Sequence, residues 1–283
     1  HYEVFTQNAY RQINDELNLK GGTIVLSDGN TIISSVTYPA AKPRISYARK
    51  TDGGEEWGFT GTPTPEQSNN SSSFAQTQVA TPTVSREGGL ISGSVSFNVT
   101  VPDGATLVYT TDGSTPTLTN GDVSTDGYFR ADRTTIYRFR AFRDGYLPSN
   151  VVSRSFILNN GNEPFPIISV VTDPHHIFGS DIAIFEKSGN GRPVNGQWEN
   201  CNWNMDWDRP VNMEYITTDG KTVVNQECNI NACGGWSCAF TPHSFKLKAN
   251  KIYYDQNYFP YQFWKNKPFL KSKTLQIRNG GND

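Results

Sequence analysis

The chain has 283 residues, a formal net charge of −2, 35% hydrophobic residues, 25 glycines and 16 prolines. No run of about 20 apolar residues occurs, which argues against a helical membrane span, and the near-neutral balance argues against a general attraction to nucleic acid or anionic lipid. At roughly 100–200 residues per domain the length suggests two or three domains, and the Gly, Pro and small polar content favours short strands and turns.

Residues 1–19 carry Tyr10, Ile13 and Leu17 at helix-like spacing. From Lys20 the pattern is strand and turn. Residues 23–26 and 31–38 read as strands around the turn Ser27-Asp28-Gly29-Asn30, followed by residues 44–49 and, after Asp52-Gly53-Gly54, by Trp57 and Phe59. Residues 61–78, rich in Pro, Ser, Thr, Asn and Gln, read as a linker. Val95, Phe97, Val99 and Val101 alternate with polar residues, so one strand face is buried and the other wet. Further short strands at 107–110, 137–141 and 151–157 make 79–158 a small β-sandwich. Asn159-Asn160-Gly161-Asn162 before Pro164 marks the next boundary. Strands are then expected at 167–171, 182–185, 211–216, 244–249 and 274–278. The expected organisation is 1–68, a linker over 69–78, 79–158 and 165–283, mainly β, without internal repeats.

Chemistry concentrates in the last segment. Lys246 and Lys248 share one strand face and Arg278 lies on another strand. As neighbours these strands would form a cationic wall suited to nucleotide phosphates, although Lys and Arg on the wet face of a half-buried strand need no function. Gly234-Gly235 either lets backbone N–H groups approach a phosphate or makes a plain turn. All four cysteines fall between Cys201 and Cys238, with Cys228 and Cys233 between them. The even number fits two disulfides in an oxidising compartment; free thiols and a zinc site are the alternatives. The CxxC knuckle is absent, so no metal site is assigned. Trp198, Trp203 and Trp207, with Asp206 and Asp208, either form a sugar platform or pack in the core. No carboxylate pair is framed like a glycosidase acid and base, and no nucleophile elbow or HExxH motif occurs. No catalytic residue is therefore assigned. The start at His1, without Met or leader, is what a mature exported protein or an excised segment would show.

Three stretches resemble known families. Residues 20–69 resemble the second half of a lamin-tail domain, which implies an immunoglobulin-like sandwich. The resemblance runs through Gly22-Thr23-Ile24-Val25-Leu26-Ser27-Asp28-Gly29, Val36-Thr37-Tyr38-Pro39, Ser46-Tyr47-Ala48-Arg49 and Trp57 to Thr62-Pro63-Thr64-Pro65. Residues 79–158 are similar to the C-terminal sandwich domain of chitobiases and β-hexosaminidases, an accessory module. Here the carrying residues are Tyr109-Thr110-Thr111-Asp112-Gly113-Ser114-Thr115-Pro116-Thr117 and Arg140-Ala141-Phe142-Arg143-Asp144-Gly145-Tyr146. Residues 166–283 resemble the first part of the CotH family. The match rests on Pro166 to Thr172, Trp207-Asp208-Arg209-Pro210, Gly234-Gly235-Trp236-Ser237, Ser244-Phe245-Lys246-Leu247-Lys248-Ala249 and Ile277 to Asp283.

The resemblances imply two immunoglobulin-like β-sandwich modules followed by an α+β partial lobe of an atypical kinase-like domain. The CotH likeness implies ATP- and Mg²⁺-dependent phosphoryl transfer by the intact protein, with the family's catalytic carboxylates lying after Asp283. This fragment, without them, is expected to be inactive and to hold no cofactor. Cys238 and His243 stand where the family commonly carries basic residues, and a thiol cannot replace a guanidinium at a phosphate. The alternative is a non-enzymatic surface adhesion or carbohydrate-binding protein with a degenerate CotH domain. Either way the chain is expected to be extracellular or at the cell surface, partnered by a surface protein or a glycan.

Overall fold

The computed structural model describes residues 17–159, 161, 164–187, 201–254 and 256–280. The helix-like spacing of Tyr10 and Ile13 falls outside them, as does Trp198. The fold is mainly β, with 17 strands and four one-turn 3₁₀ helices among the described residues. No helix among them is long and apolar enough to cross a membrane. By internal contacts, the chain up to Val79 together with Arg143–Pro148 makes one compact unit, and Ala80–Phe142 together with the chain from Ser149 onward makes the other.

The first unit holds two small hairpins. Strand β1 (Gly22–Ser27) pairs antiparallel with β2 (Ile32–Tyr38), and β3 (Ser46–Arg49) with β4 (Trp57–Thr60). Asp28 closes the first turn by accepting from the N–H groups of Asn30 and Thr31 at 3.1 and 2.8 Å, and Gly29 supplies the positive φ that the turn needs. Tyr47 packs on Trp57 and Phe59 across the second hairpin, with Arg49 over the Trp57 ring at 4.8 Å. Residues 61–78, expected as a linker, are tied into this unit. Asn69 donates its N–H to Asp52 and its amide to the Arg49 carbonyl, both at 2.9 Å, while Val79 N–H reaches the Leu147 carbonyl at 2.9 Å.

The second unit begins with two facing sheets. One has three strands, β5 (Thr83–Val84), β7 (Val95–Thr100) and β10 (Tyr128–Ala131), in the order β10-β7-β5. The other has five: β6 (Gly89–Ile91), β8 (Thr106–Thr110), β9 (Asp122–Ser124), β11 (Thr135–Phe142) and β12 (Val152–Leu158), in the order β6-β12-β11-β8-β9. Inward-facing residues of both sheets, among them Phe97, Phe129, Tyr137, Phe139 and Phe156, make a single aromatic core. Phe97 stacks on Phe156 at 4.7 Å and on Phe129 at 5.6 Å, so one ring bridges the two sheets.

The same unit continues into a five-stranded antiparallel meander. It runs β13 (Ile167–Val171), β14 (Asp208–Ile216), β15 (Thr222–Ala232), β16 (Phe245–Lys248) and β17 (Thr274–Ile277), in spatial order β13-β14-β15-β16-β17. One face is apolar, with Val211, Met213, Val224, Cys228, Ile230, Leu247 and Leu275 in a second core. Two expectations are corrected here. Residues 182–185 form turns instead of a strand: Ile184 N–H bonds to the His176 carbonyl, and Ala183, Ile184 and Phe185 are buried without joining a ladder. And β15, the longest strand at 11 residues, was not anticipated, because its Asn-rich half carries residues depleted in strands.

Candidate functional site

The first candidate is a pocket of about 470 Å³ at the rim of the sandwich, formed by β8, β9, β10, the start of β11 and the loops between them. Tyr109 pairs with Asp122 across β8 and β9, and its ring meets Phe129 edge-on at 4.9 Å and Tyr137 at 6.2 Å. Tyr137 is fixed in turn by donating its hydroxyl to the Arg130 carbonyl at 2.9 Å. Burial raises the Tyr137 phenol above its usual range, with Tyr109 and Asp132 adding to the rise. Tyr128 stands at the mouth, 55% exposed, its hydroxyl 2.7 Å from Ser96 Oγ. Asp126 accepts from Tyr128 N–H at 3.0 Å and so holds the loop that presents this ring. Asp122, Asp126, Asp132, Arg130 and Arg133 complete the lining. Phenol rings beside carboxylates and guanidinia offer stacking faces with donors and acceptors at their edges.

The decisive comparison concerns this segment. Residues 86–153 match the chitobiase/β-hexosaminidase C-terminal domain. The match lies inside the sandwich expected over 79–158, and the pocket belongs to this chitobiase-type module. A search of curated proteins finds no match to the chain.

The second candidate is the polar face of the meander, where the structure brings the three predicted cations together. Lys246 pairs with Gln276 and Asn231, and Lys248 with Thr274 and Asn229, so their side chains share a face. Burial pushes the Cys233 thiol up, and Lys246, Arg278 and Lys248 each act to lower it, so all three cations lie within electrostatic reach of that sulfur. The wall is not wholly open: Lys248 Nζ makes an ion pair with Asp208 at 3.0 Å. The Gly234-Gly235 turn lies at the same end. Gly234 has φ +118°, and a Cβ there would come within 2.5 Å of Ser237 Oγ. The Gly235 carbonyl accepts from the Cys238 thiol at 2.8 Å, and Asn279 donates its amide to the Ser237 carbonyl at 3.0 Å. The loop is therefore knitted to the end of β17 beside Arg278. His243 is engaged as well, stacked on Phe185 at 4.4 Å with Nδ1 2.8 Å from the Cys238 carbonyl.

The cysteines correct an expectation. Cys201, Cys228, Cys233 and Cys238 are all buried, and neither of the two expected disulfides is present among them. Cys228 points into the apolar core, where burial drives its thiol far above the usual range, while Cys201 and Cys233 both act on Cys238 elsewhere. Cys228 therefore has no cysteine partner on its own face, and the even count misleads. Among the described residues no three His, Cys, Asp or Glu side chains gather as metal ligands. Trp207 packs against the meander core beneath Arg209 and Trp203 lies against His243, so neither offers a free sugar platform.

Sequence reasoning missed how deeply the polar face is covered. Asn212 is 3% exposed, Glu214 0%, Glu227 6% and Asn231 2%. Asn212 pairs with Glu227 and Glu214 with Asn225 across β14 and β15, so these residues form one row. The row is linked by hydrogen bonds. Asn212 donates to Asn225 Oδ1 at 3.0 Å, and Asn225 donates to the Ser153 carbonyl and to Glu214 Oε1 at 3.0 and 3.2 Å. Burial raises the Glu214 carboxyl to about 7, opposed by Ser155 and Arg154, and Oε2 has no hydrogen-bond partner. A strand over 211–216 was visible; β15 and the layer that covers the polar side of both strands were not.

Proposed function

We propose that this chain is the non-catalytic, carbohydrate-binding part of an exported surface protein, with the β8–β11 rim pocket as its glycan site. The observation that carries the reading is the exposed Tyr128 ring, with the half-buried Tyr109 ring, three aspartates and two arginines, in one pocket of the chitobiase-type module. Rings stack on the apolar faces of sugars, and carboxylates and guanidinia bond their hydroxyls. The lamin-tail likeness of residues 20–69 fits an accessory role, and a family named for chitobiases and β-hexosaminidases fits a glycan partner outside the cell. The test is a glycan array probed with the whole chain, including hexosamine-containing oligosaccharides. Binding that falls about tenfold in Tyr128→Ala supports the proposal. An array without hits, or hits that ignore Tyr128, contradicts it.

One observation favours a second reading, the CotH-type one. Lys246, Lys248 and Arg278 converge on one sheet face beside the Gly234-Gly235 turn, as a phosphate-holding wall would need. On this reading the intact protein binds ATP with Mg²⁺ and Lys246→Ala abolishes binding. Unchanged nucleotide binding in that variant, or none in the intact wild type, removes it.

A further inference from the structure

A second cavity of about 500 Å³ opens between β5, β12 and the polar face of the meander, all within the second unit. Its lining includes Ser153, Arg154, Asn212, Asn225, Glu227 and Tyr254. Ser153 is 3% exposed, yet its Oγ is buried without a hydrogen-bond partner. Buried hydroxyls are nearly always satisfied, so an orphan in a cavity wall points to a group that arrives from outside the chain. The neighbouring amides are already oriented: the Asn225 amide is held by the Ser153 carbonyl and Glu214 Oε1, and it fixes Asn212 in turn.

The charges at the mouth define what fits. Arg154 is engaged at all three guanidinium nitrogens: it donates to the Arg86 carbonyl at 3.3 Å, the Ser153 carbonyl at 2.9 Å and Glu87 Oε1 at 3.1 Å. Its charge is matched by Glu87, which weakens its pull on an anionic ligand. Glu87 is neutralised by the same pair, and Glu227, the other carboxylate of the lining, is 6% exposed and has partners of its own, which weakens the attraction for a cationic ligand. Hydroxyl, amide and phenol groups remain, and these match a ligand that donates and accepts equally. The Tyr254 ring, 42% exposed, forms a wall against which a sugar face can lie. The volume falls within the range of roughly 300–1,000 Å³ typical of small-molecule sites.

We propose that this cavity is a separate binding site for a small neutral polyhydroxylated ligand, a mono- or disaccharide, with Ser153 and the Asn212–Asn225 pair as its floor and Tyr254 as its wall. The site shares no residue with the rim pocket and does not rest on that reading. The test is calorimetric titration of the whole chain with glucose, xylose, N-acetylglucosamine and lactose, with inorganic phosphate and spermidine as charged competitors. At least one sugar binds; its affinity falls about tenfold in Tyr254→Ala and falls also in Ser153→Ala, is unchanged in Tyr128→Ala, and is not displaced by either competitor. Tyr254→Phe keeps the ring and removes only its hydroxyl, so it tests the wall where Ser153→Ala or Tyr254→Ala fails to fold; sugar binding persists in it. The proposal is overturned if no sugar binds, if binding follows Tyr128 and ignores Tyr254, or if phosphate or spermidine displaces the sugar.

Discussion

The three-stranded sheet of the sandwich and the terminal meander handle their second faces differently. In the three-stranded sheet, aromatic and aliphatic residues turn inward and polar ones face solvent: β7 reads buried at Phe97 and Val99 and exposed at Ser96, Asn98 and Thr100. In the meander both faces are covered. Val211, Met213, Cys228 and Leu247 pack on one side, and Asn212, Glu214, Glu227 and Asn231 are buried on the other. Alternation therefore reports which residues share a face, and it does not report whether that face is wet. A buried polar face must find its hydrogen bonds internally, as Asn212, Asn225 and Glu214 do across β14 and β15.

The largest expected effect lies in the aromatic core. Phe97→Ala removes the ring that bridges both sheets and lowers stability by about 3–5 kcal/mol in denaturant unfolding. A loss under about 1 kcal/mol would mean that this core does not hold the sandwich together.

The buried row differs from that core in responding to pH. Glu214 has a folded pKa of about 7 against an ordinary 4.5, so between these values the folded state holds more protons than the unfolded one. Its contribution to stability is present in full below about pH 4.5, declines as pH rises, and is lost above about pH 7. The total change is on the order of 3 kcal/mol. Glu214→Gln flattens that slope, which chemical unfolding across pH measures directly; an unchanged slope would place the proton elsewhere.

Steric fit around the same row is tested by Gly88→Ala. The new Cβ would lie 2.6 Å from the Ser155 carbonyl and 2.8 Å from Glu214 Oε1, both in tightly packed surroundings. A loss of about 1–3 kcal/mol is expected in thermal or chemical unfolding. At the far end of the face, Lys248→Ala breaks a half-exposed ion pair with Asp208 and shifts stability by no more than about 1 kcal/mol. A greater loss would mean that this end is as closed as the Glu214 end.

Much of the fold was legible because its signals are local. The strand at 167–171, the Asp28-Gly29 turn and the inward face of β7 follow from residue type and period two. The shared face of Lys246 and Lys248 follows from alternation, and β16 does lie beside β17; Arg278 follows the last paired residue, Ile277. What stayed hidden depends on groups distant in sequence. Ile184 and Phe185 are buried by the His176–Ile177 turn instead of by a ladder. Cys228 faces the apolar core from β15 while Cys238 sits in the 3₁₀ turn Trp236–Ala239, which a count of four cannot reveal. The rim pocket draws Tyr109, Tyr128 and Tyr137 from three strands, and the second cavity needs Ser153 set against Asn225, 72 residues away.

The central claim, that the chitobiase-type module takes glycan at its rim, is tested most directly by aromatic NMR shift mapping with an oligosaccharide that the array selects. The account predicts perturbations of the Tyr128 and Tyr109 ring protons, with the Phe97 and Phe156 rings of the core unmoved. Perturbations confined to other residues, or none at saturating sugar, would contradict it.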